Sequence, residues 1–111
     1  MVEAVKRNEI LVKKILKEIE DINLFTGTMT ENDFYHDLKT QKAVVMSLIN
    51  IGELSKSFSD DFIAVHEIIP WKKVQSMRNI AAHKYETLDM QIVWDTIQIS
   101  IKELKAELIT A

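Results

Sequence analysis

The segment RNIAAHKY, at residues 78–85, brings four side chains with useful chemistry into a short stretch. Arg78 has a planar guanidinium whose N–H donors match the oxygens of a phosphate, and it keeps its positive charge near neutral pH. His83 can give or take a proton at physiological pH, and Asn79 can fix the tautomer of its imidazole. Tyr85 adds a stacking face and a hydroxyl. Together these groups suit cleavage of a phosphodiester that carries its own nucleophile, which means RNA with its 2′-hydroxyl.

The spacing of the arginine and the histidine limits how they can meet. On a regular helix, residues four apart lie about 40° from each other around the axis and residues five apart about 140°. Asn79 and His83 are therefore neighbours that can hydrogen-bond, whereas Arg78 and His83 are not. Either the helix ends near Ala82, or the arginine and the histidine meet through a second chain. By spacing alone, His83 could also be a structural residue with no catalytic role.

Positive charge is concentrated around this segment. The chain has a net charge of −3, which argues against a general nucleic-acid binder. Residues 70–85 nevertheless hold four basic residues and no acidic one, so the rest of the chain has a net charge of −7. Besides Arg78 these are Lys72, Lys73 and Lys84, which are candidates for attracting RNA, although Lys84 could also be a solvated charge. A basic patch on an acidic body is compatible with docking an anion at one place.

Composition excludes several other classes of protein. The chain has no cysteine, which rules out disulfides and thiolate metal sites and suits a reducing compartment. No run reaches the roughly 18 apolar residues of a membrane span, and the N-terminus does not read as a signal peptide. We therefore expect a cytoplasmic protein. Its histidines lie far apart and match no metal signature, so we predict neither a metal nor a cofactor.

The elements that must position these residues are helices. Only two glycines and one proline occur in 111 residues, and apolar positions recur at helical spacing. The sequence predicts a single all-α domain over residues 1–111, an up-down bundle of four main helices plus a short one. The predicted helices cover residues 2–23, 31–57, 60–67 (the short one), 71–83 and about 87–108.

Two neighbouring residues of the second predicted helix bear on the site. Gly52 inside a helix costs up to about 1 kcal/mol against alanine, and close approach of another backbone is the expected reason. Glu53 either pairs with Arg78 and holds its guanidinium, or is a surface carboxylate. Trp71, at the start of the fourth helix, is expected to anchor that helix in the core.

The ordered set of motifs resembles the HEPN superfamily, in its HepT-like branch of small ribonuclease toxins. R-N-x-x-x-H-x-Y at residues 78–85 follows IPW at 69–71 and NIGEL at 50–54, so the resemblance covers most of the chain. It implies a metal-independent endoribonuclease that works as a homodimer, with two R-x4-H elements facing each other. Carried over, Arg78 would bind the scissile phosphate and His83 would act in proton transfer.

The resemblance also implies partners. Asn79 would orient the catalytic pair, and the protein would be the toxin of a type VII HEPN/MNT toxin–antitoxin pair. Its antitoxin, a minimal nucleotidyltransferase, would attach AMP to Tyr85. One departure is Lys84, because several relatives have a glycine or an acidic residue between the histidine and the tyrosine. Two alternatives stay open: a non-catalytic HEPN module that binds a nucleotide or supports a partner nucleotidyltransferase, and a structural helical adaptor.

Overall fold

Helices make up most of residues 2–79 and 87–111, the parts of the chain that the computed structural model describes. The prediction of an all-α fold is confirmed. A π-helical turn, Thr96–Ser100, joins the last two α-helices. Within the described ranges, no helix combines the length and hydrophobicity that crossing a bilayer requires. The α-helices of these ranges are α1 Val2–Thr26, α2 Glu31–Tyr35, α3 Leu38–Ser55, α4 Asp60–Val65, α5 Trp71–Ser76, α6 Met90–Asp95 and α7 Ile101–Ile109.

The core forms where α1 and α3 pack along each other. The two helices run antiparallel, since Asn8 of α1 bonds Ser59 beyond the end of α3 and Glu18 bonds Asn50. Apolar residues on the facing sides are almost fully buried, and each such side chain stabilises the fold by roughly 1.5–3 kcal/mol. They are Ile15, Ile19 and Ile22 from α1 and Val44, Leu48 and Ile51 from α3.

The single helix predicted for residues 31–57 is wrong, because the chain divides it into α2 and α3. Both helix starts, the predicted one at Glu31 and the new one at Leu38, are capped by side chains. Thr30 and Asp33 form a reciprocal capping box on α2. Asp37 accepts a hydrogen bond from the backbone N of Thr40 at 3.0 Å and so caps α3. The break therefore follows from one capping residue, Asp37, inside what reads as one continuous helical pattern.

Gln41 joins the two pieces. Its Nε2 donates to the carbonyl oxygens of Phe34 at 2.8 Å and Tyr35 at 3.0 Å, at the end of α2. The carbonyl of Phe34 also accepts from the backbone N of Asp37 at 3.2 Å. The amide therefore adds a second donor there and supplies one to the carbonyl of Tyr35, where α2 has ended. The buried amide thus compensates for the break and holds α2 at a fixed angle to α3.

Trp71 fixes the beginning of α5. Its side chain is only 8% exposed, which confirms its predicted place in the core. The indole packs edge-on against Phe58 with ring centroids 5.3 Å apart, and its Nε1 donates to the carbonyl of His66 at 3.0 Å. This contact sets where α5 starts and hence where its last residues reach.

The prediction of one continuous helix over residues 71–83 is also wrong, because α5 ends at Ser76. The backbone N of Met77 donates to the carbonyl of Val74, three residues back, at 3.2 Å. The hydroxyl of Ser76 donates to the carbonyl of Lys73 at 2.7 Å. Both bonds satisfy carbonyls that a continuing helix would have used. Residues 77–78 are therefore a turn.

The last predicted helix is interrupted rather than uniform. Asp89 caps α6 by accepting from the backbone N of Gln91 at 2.9 Å, as the sequence allows. The π-helical turn follows, and the hydroxyl of its first residue, Thr96, donates back to the carbonyl of Ile92 in α6 at 2.7 Å. One apolar stripe nevertheless stays buried through all three segments: Val93, Ile97, Ile101, Leu104 and Leu108.

Candidate functional site

The chain that follows α5 lies directly against α3 at Gly52. A Cβ atom at position 52 would stand 2.7 Å from the backbone nitrogen of Arg78. It would also stand 3.1 Å from the carbonyl oxygen of Val74 and 3.3 Å from that of Gln75. Such distances leave no room for a side chain, so the close backbone approach expected at Gly52 is confirmed. The contact fixes the backbone of Arg78 relative to α3.

The next residue of α3 holds the side chain of Arg78. Oε2 of Glu53 lies 2.8 Å from Nε of Arg78, so the first of the two alternatives for Glu53 is the one formed. Both side chains are exposed, 54% for the arginine and 60% for the glutamate. A pair this exposed stabilises a fold by only about 0–1 kcal/mol. Its main consequence is therefore the orientation of the guanidinium.

This arrangement leaves Arg78 able to bind an anion. A guanidinium has five N–H donors, and one carboxylate can engage only two of them. The remaining donors belong to a group that is more than half exposed to solvent. One turn of α3 thus positions both the backbone and the side chain of a cation that a phosphate can reach.

The other described residues of the predicted basic patch are not all at this place. Asn79 and Lys72 are exposed, Asn79 directly beside the arginine. Lys73 lines a separate cleft of about 460 Å³ between α5 and α7, which also holds Glu103 and Glu107. That cleft includes neither Arg78 nor Glu53. Lys73 therefore shares a cleft with two carboxylates, an environment that the run of lysines did not predict.

Three of the predicted site residues, His83, Lys84 and Tyr85, lie outside the described residues. The relation between the arginine and the histidine of the motif thus stays a prediction. Within residues 2–79 and 87–111, no three His, Asp or Glu side chains are grouped as ligands for a metal ion.

Sequence reasoning missed a set of residues on α1. In the sequence Lys13, Lys14 and Lys17 read as a solvated face, yet they line a groove of which Glu53 is also part. One signal was present: the run ILVKKILK at residues 10–17 has three cations and no carboxylate. What the sequence could not supply was which neighbour that run would face.

A second group of polar residues, Tyr35, His36 and Asp37, is committed to local contacts. The hydroxyl of Tyr35 donates to Glu31 at 2.9 Å, and Nδ1 of His36 lies 2.8 Å from the carbonyl oxygen of Asn32. Asp37 caps α3. Loss of hydration, followed by the hydrogen bond and charge of Glu31, raises the pKa of Tyr35 to about 12. The phenol therefore stays protonated at neutral pH, and the three side chains do not form a joint site.

Comparison with known proteins identifies relatives over nearly the whole chain. Residues 15–111, which include Gly52, Glu53 and Arg78, match the family model described as "Ribonuclease HepT-like". A "Probable ribonuclease HepT" of Thermococcus cleftensis is 38% identical over 96 residues, covering 86% of this chain and 87% of that protein. The comparison with solved structures finds no match.

Two further relatives carry provisional RNase names. One, from Methanocaldococcus jannaschii, is 41% identical over 83 residues, covering 75% of this chain and 69% of that protein. The other, from Caldanaerobacter subterraneus subsp. tengcongensis, is 32% identical over 96 residues, covering 86% of each.

Proposed function

Because the chain belongs to the HepT-like ribonuclease family, we propose that it is a metal-independent endoribonuclease whose phosphate-binding cation is Arg78. The observation that carries this proposal is the fixed, solvent-open position of that cation. Gly52 lets its backbone lie against α3, and Glu53 pairs with its guanidinium at 2.8 Å. Glu53 is thus a positioning residue, and Asn79, Lys72 and Lys84 supply polar and cationic surface for the RNA. Lys73, also predicted to bind RNA, lines the separate cleft with Glu103 and Glu107 and is not assigned this role.

The reaction uses the substrate's own nucleophile. The 2′-hydroxyl oxygen attacks the adjacent phosphorus while a base takes its proton. The bond from phosphorus to the 5′-oxygen breaks, and an acid protonates that oxygen as it leaves. The products are a 2′,3′-cyclic phosphate and a 5′-hydroxyl. Arg78 stabilises the extra negative charge on the phosphoryl oxygens, and His83 transfers the protons.

A homodimer completes this chemistry. The reaction requires a base and an acid, and the segment at residues 78–85 contains one histidine per chain. A two-fold axis that faces the two segments would supply the second histidine and place the two basic patches side by side. The chain is therefore proposed to act as a symmetric pair.

Cleavage in the presence of EDTA tests the nuclease and the pairing together. We expect the purified protein to cut single-stranded RNA and leave 2′,3′-cyclic phosphate ends. We expect His83→Ala to remove this activity, and an excess of His83→Ala chains to lower the activity of wild-type chains by forming mixed pairs. His36→Ala is the matched control, because that imidazole is exposed and is bonded to the nearby carbonyl of Asn32.

Three results would contradict the proposal. They are a strict requirement for a divalent cation, products with 5′-phosphate ends, and undiminished cleavage by His83→Ala. If the mixed pairs kept full activity, the two-histidine form of the mechanism would be refuted.

The nuclease is further proposed to be the toxin of a type VII toxin–antitoxin pair. Its partner would be a minimal nucleotidyltransferase that transfers AMP from a nucleoside triphosphate to the hydroxyl of Tyr85, with pyrophosphate as the leaving group. The added phosphate is an anion two residues from His83 in the chain. It would compete with the RNA backbone for the cationic site, and the adenosine would obstruct it.

Tyr85→Phe separates the two roles of this segment. We expect the variant to keep its ribonuclease activity, since the phenol is no part of the proton transfer, and to escape inhibition by an active nucleotidyltransferase and ATP. Mass spectrometry should detect the added AMP on the wild-type chain only. Full inhibition of the variant by the same treatment would refute Tyr85 as the acceptor.

A further inference from the structure

The surface next to Glu53 contains a groove of about 460 Å³ between α1 and α3. The wall from α1 consists of Lys13, Lys14, Lys17 and Glu18. The wall from α3 consists of Asn50, Glu53 and Leu54. Because Glu53 also contacts Arg78 at 2.8 Å, the groove adjoins the cation of the candidate site.

The carboxylates at this groove already have partners. Glu53 pairs with Arg78, and Oε2 of Glu18 accepts a hydrogen bond from Asn50 at 3.4 Å. Asp21, which lies just beyond the groove, forms an ion pair with Lys17 at 2.8 Å. Each acidic group therefore has a partner within the fold, a cation for Glu53 and Asp21 and the neutral amide of Asn50 for Glu18.

Two of the three lysines of the groove are not engaged in this way. Lys13 and Lys14 are both exposed, and neither forms an ion pair with any residue in the described ranges. They lie about one turn before Lys17 on α1, and they line the same groove as Glu53, the partner of Arg78. Leu54, which is partly exposed, and the aliphatic stems of the lysines give the groove an apolar floor.

We propose that this groove binds the backbone of the RNA strand on one side of the scissile phosphate, with Lys13 and Lys14 contacting its phosphates. The proposal rests on the ribonuclease function proposed above and extends its substrate site from one phosphate to several. Lysine suits this role because its ammonium is a point charge that binds phosphates without demanding one geometry. Phosphate contacts of this kind add affinity and register but no sequence preference.

A binding measurement that does not depend on cleavage tests this directly. The probe is a short fluorescein-labelled oligonucleotide of mixed sequence with 2′-O-methyl groups, which lacks the nucleophile. The variant is Lys13→Glu/Lys14→Glu, and the matched control is Lys102→Glu/Lys105→Glu on α7. The control makes the same change in charge at two exposed helical lysines that line none of the clefts described above. Thermal unfolding of both variants checks that the fold is kept.

We expect the groove variant to bind the probe at least about tenfold more weakly at about 0.1 M salt, and the control to bind within about threefold of wild type. The slope of log affinity against log salt should become shallower by about 1.4, because each phosphate of a single strand that a lysine neutralises adds about 0.7 to that slope. On unmodified RNA, KM should rise while kcat changes little.

Equal weakening by both double variants would overturn the proposal, because it would show a general effect of net charge. Undiminished binding of the probe by the groove variant would overturn it as well. That result would favour an acidic protein, rather than RNA, as the partner of these lysines. If the wild-type protein bound the probe through the groove but cleaved no RNA, the groove would stand and the ribonuclease function would fall.

Discussion

The two ends of α3 use their polar residues in opposite ways. At the N-terminal end, Asp37 and Gln41 are bonded to the backbone of α2 and α3, and Gln41 is buried. At the C-terminal end, Gly52 has no side chain at all, and Glu53 is 60% exposed and holds Arg78. The first end joins two helices, whereas the second presents a cation to solvent.

The contrast distinguishes structural from functional polar residues in a small helical protein. A polar group whose hydrogen bonds all go to nearby backbone contributes to stability and has little left to offer a ligand. A pair exposed to solvent contributes little to stability but can orient a charge. Substitutions at the N-terminal end should therefore change the unfolding free energy, and those at the C-terminal end should change the activity.

Gly52→Ala should have the larger effect. The added Cβ would meet the backbone nitrogen of Arg78 at 2.7 Å, so the chain after α5 must move away from α3. We expect RNA cleavage to fall by about 10²-fold, the order of loss that a displacement of about 1 Å can cause. Overpacking of about 1–3 kcal/mol should outweigh the gain of about 1 kcal/mol in helix propensity. Steady-state cleavage and denaturant unfolding measure the two effects.

Gly27→Ala is the matched control for this variant. Gly27 has a φ of +50°, and alanine in that conformation costs roughly 1–2 kcal/mol. Its nearest neighbour for a new Cβ is 4.0 Å away, and it lies in the turn between α1 and α2, so the activity of the folded protein should stay near wild type. Equal activity of the two variants would show that Gly52 does not position Arg78.

Gln41→Ala should have a smaller effect than Gly52→Ala, and it should change the unfolding free energy but not the cleavage activity. It leaves the carbonyls of Phe34 and Tyr35 without this partner and should lower the unfolding free energy by about 1–3 kcal/mol. The control is Gln91→Ala, whose amide bonds Glu31 at an exposed position, and which should stay within about 0.5 kcal/mol of wild type. A large loss of cleavage in folded Gln41→Ala would mean that the two ends of α3 do not differ in this way.

The sequence predicted the all-α class and much of the core, because apolar spacing alone sets which helical faces are buried. It also predicted the backbone approach at Gly52, since an interior glycine destabilises a long helix unless a neighbouring backbone needs the space. It failed at the break between α2 and α3. There the apolar period continues through residues 36–37, and only the cap at Asp37 reveals that a second helix begins.

Predicting the site was harder for a different reason. The motif indicated Arg78, but whether Glu53 would pair with it depended on how α5 crosses α3, a tertiary contact with no local signal. The cleft around Lys73 depends on a different tertiary contact, the packing of α5 beside α7. Lys13 and Lys14 were missed because a lysine-rich helical face is usually solvated, and only the fold shows that it adjoins Glu53.

Arg78, held by Gly52 and Glu53, is proposed to be the cation that stabilises the phosphoryl group during RNA cleavage. Single-turnover cleavage by Arg78→Ala is the decisive experiment. Glu53→Gln is the milder variant, because it keeps a hydrogen-bond acceptor for Arg78 but loses the negative charge of the carboxylate. We predict a loss of about 10²–10³-fold for Arg78→Ala, a smaller loss for Glu53→Gln, and an unfolding free energy within about 1 kcal/mol of wild type for both. Cleavage by folded Arg78→Ala at the wild-type rate would contradict this role.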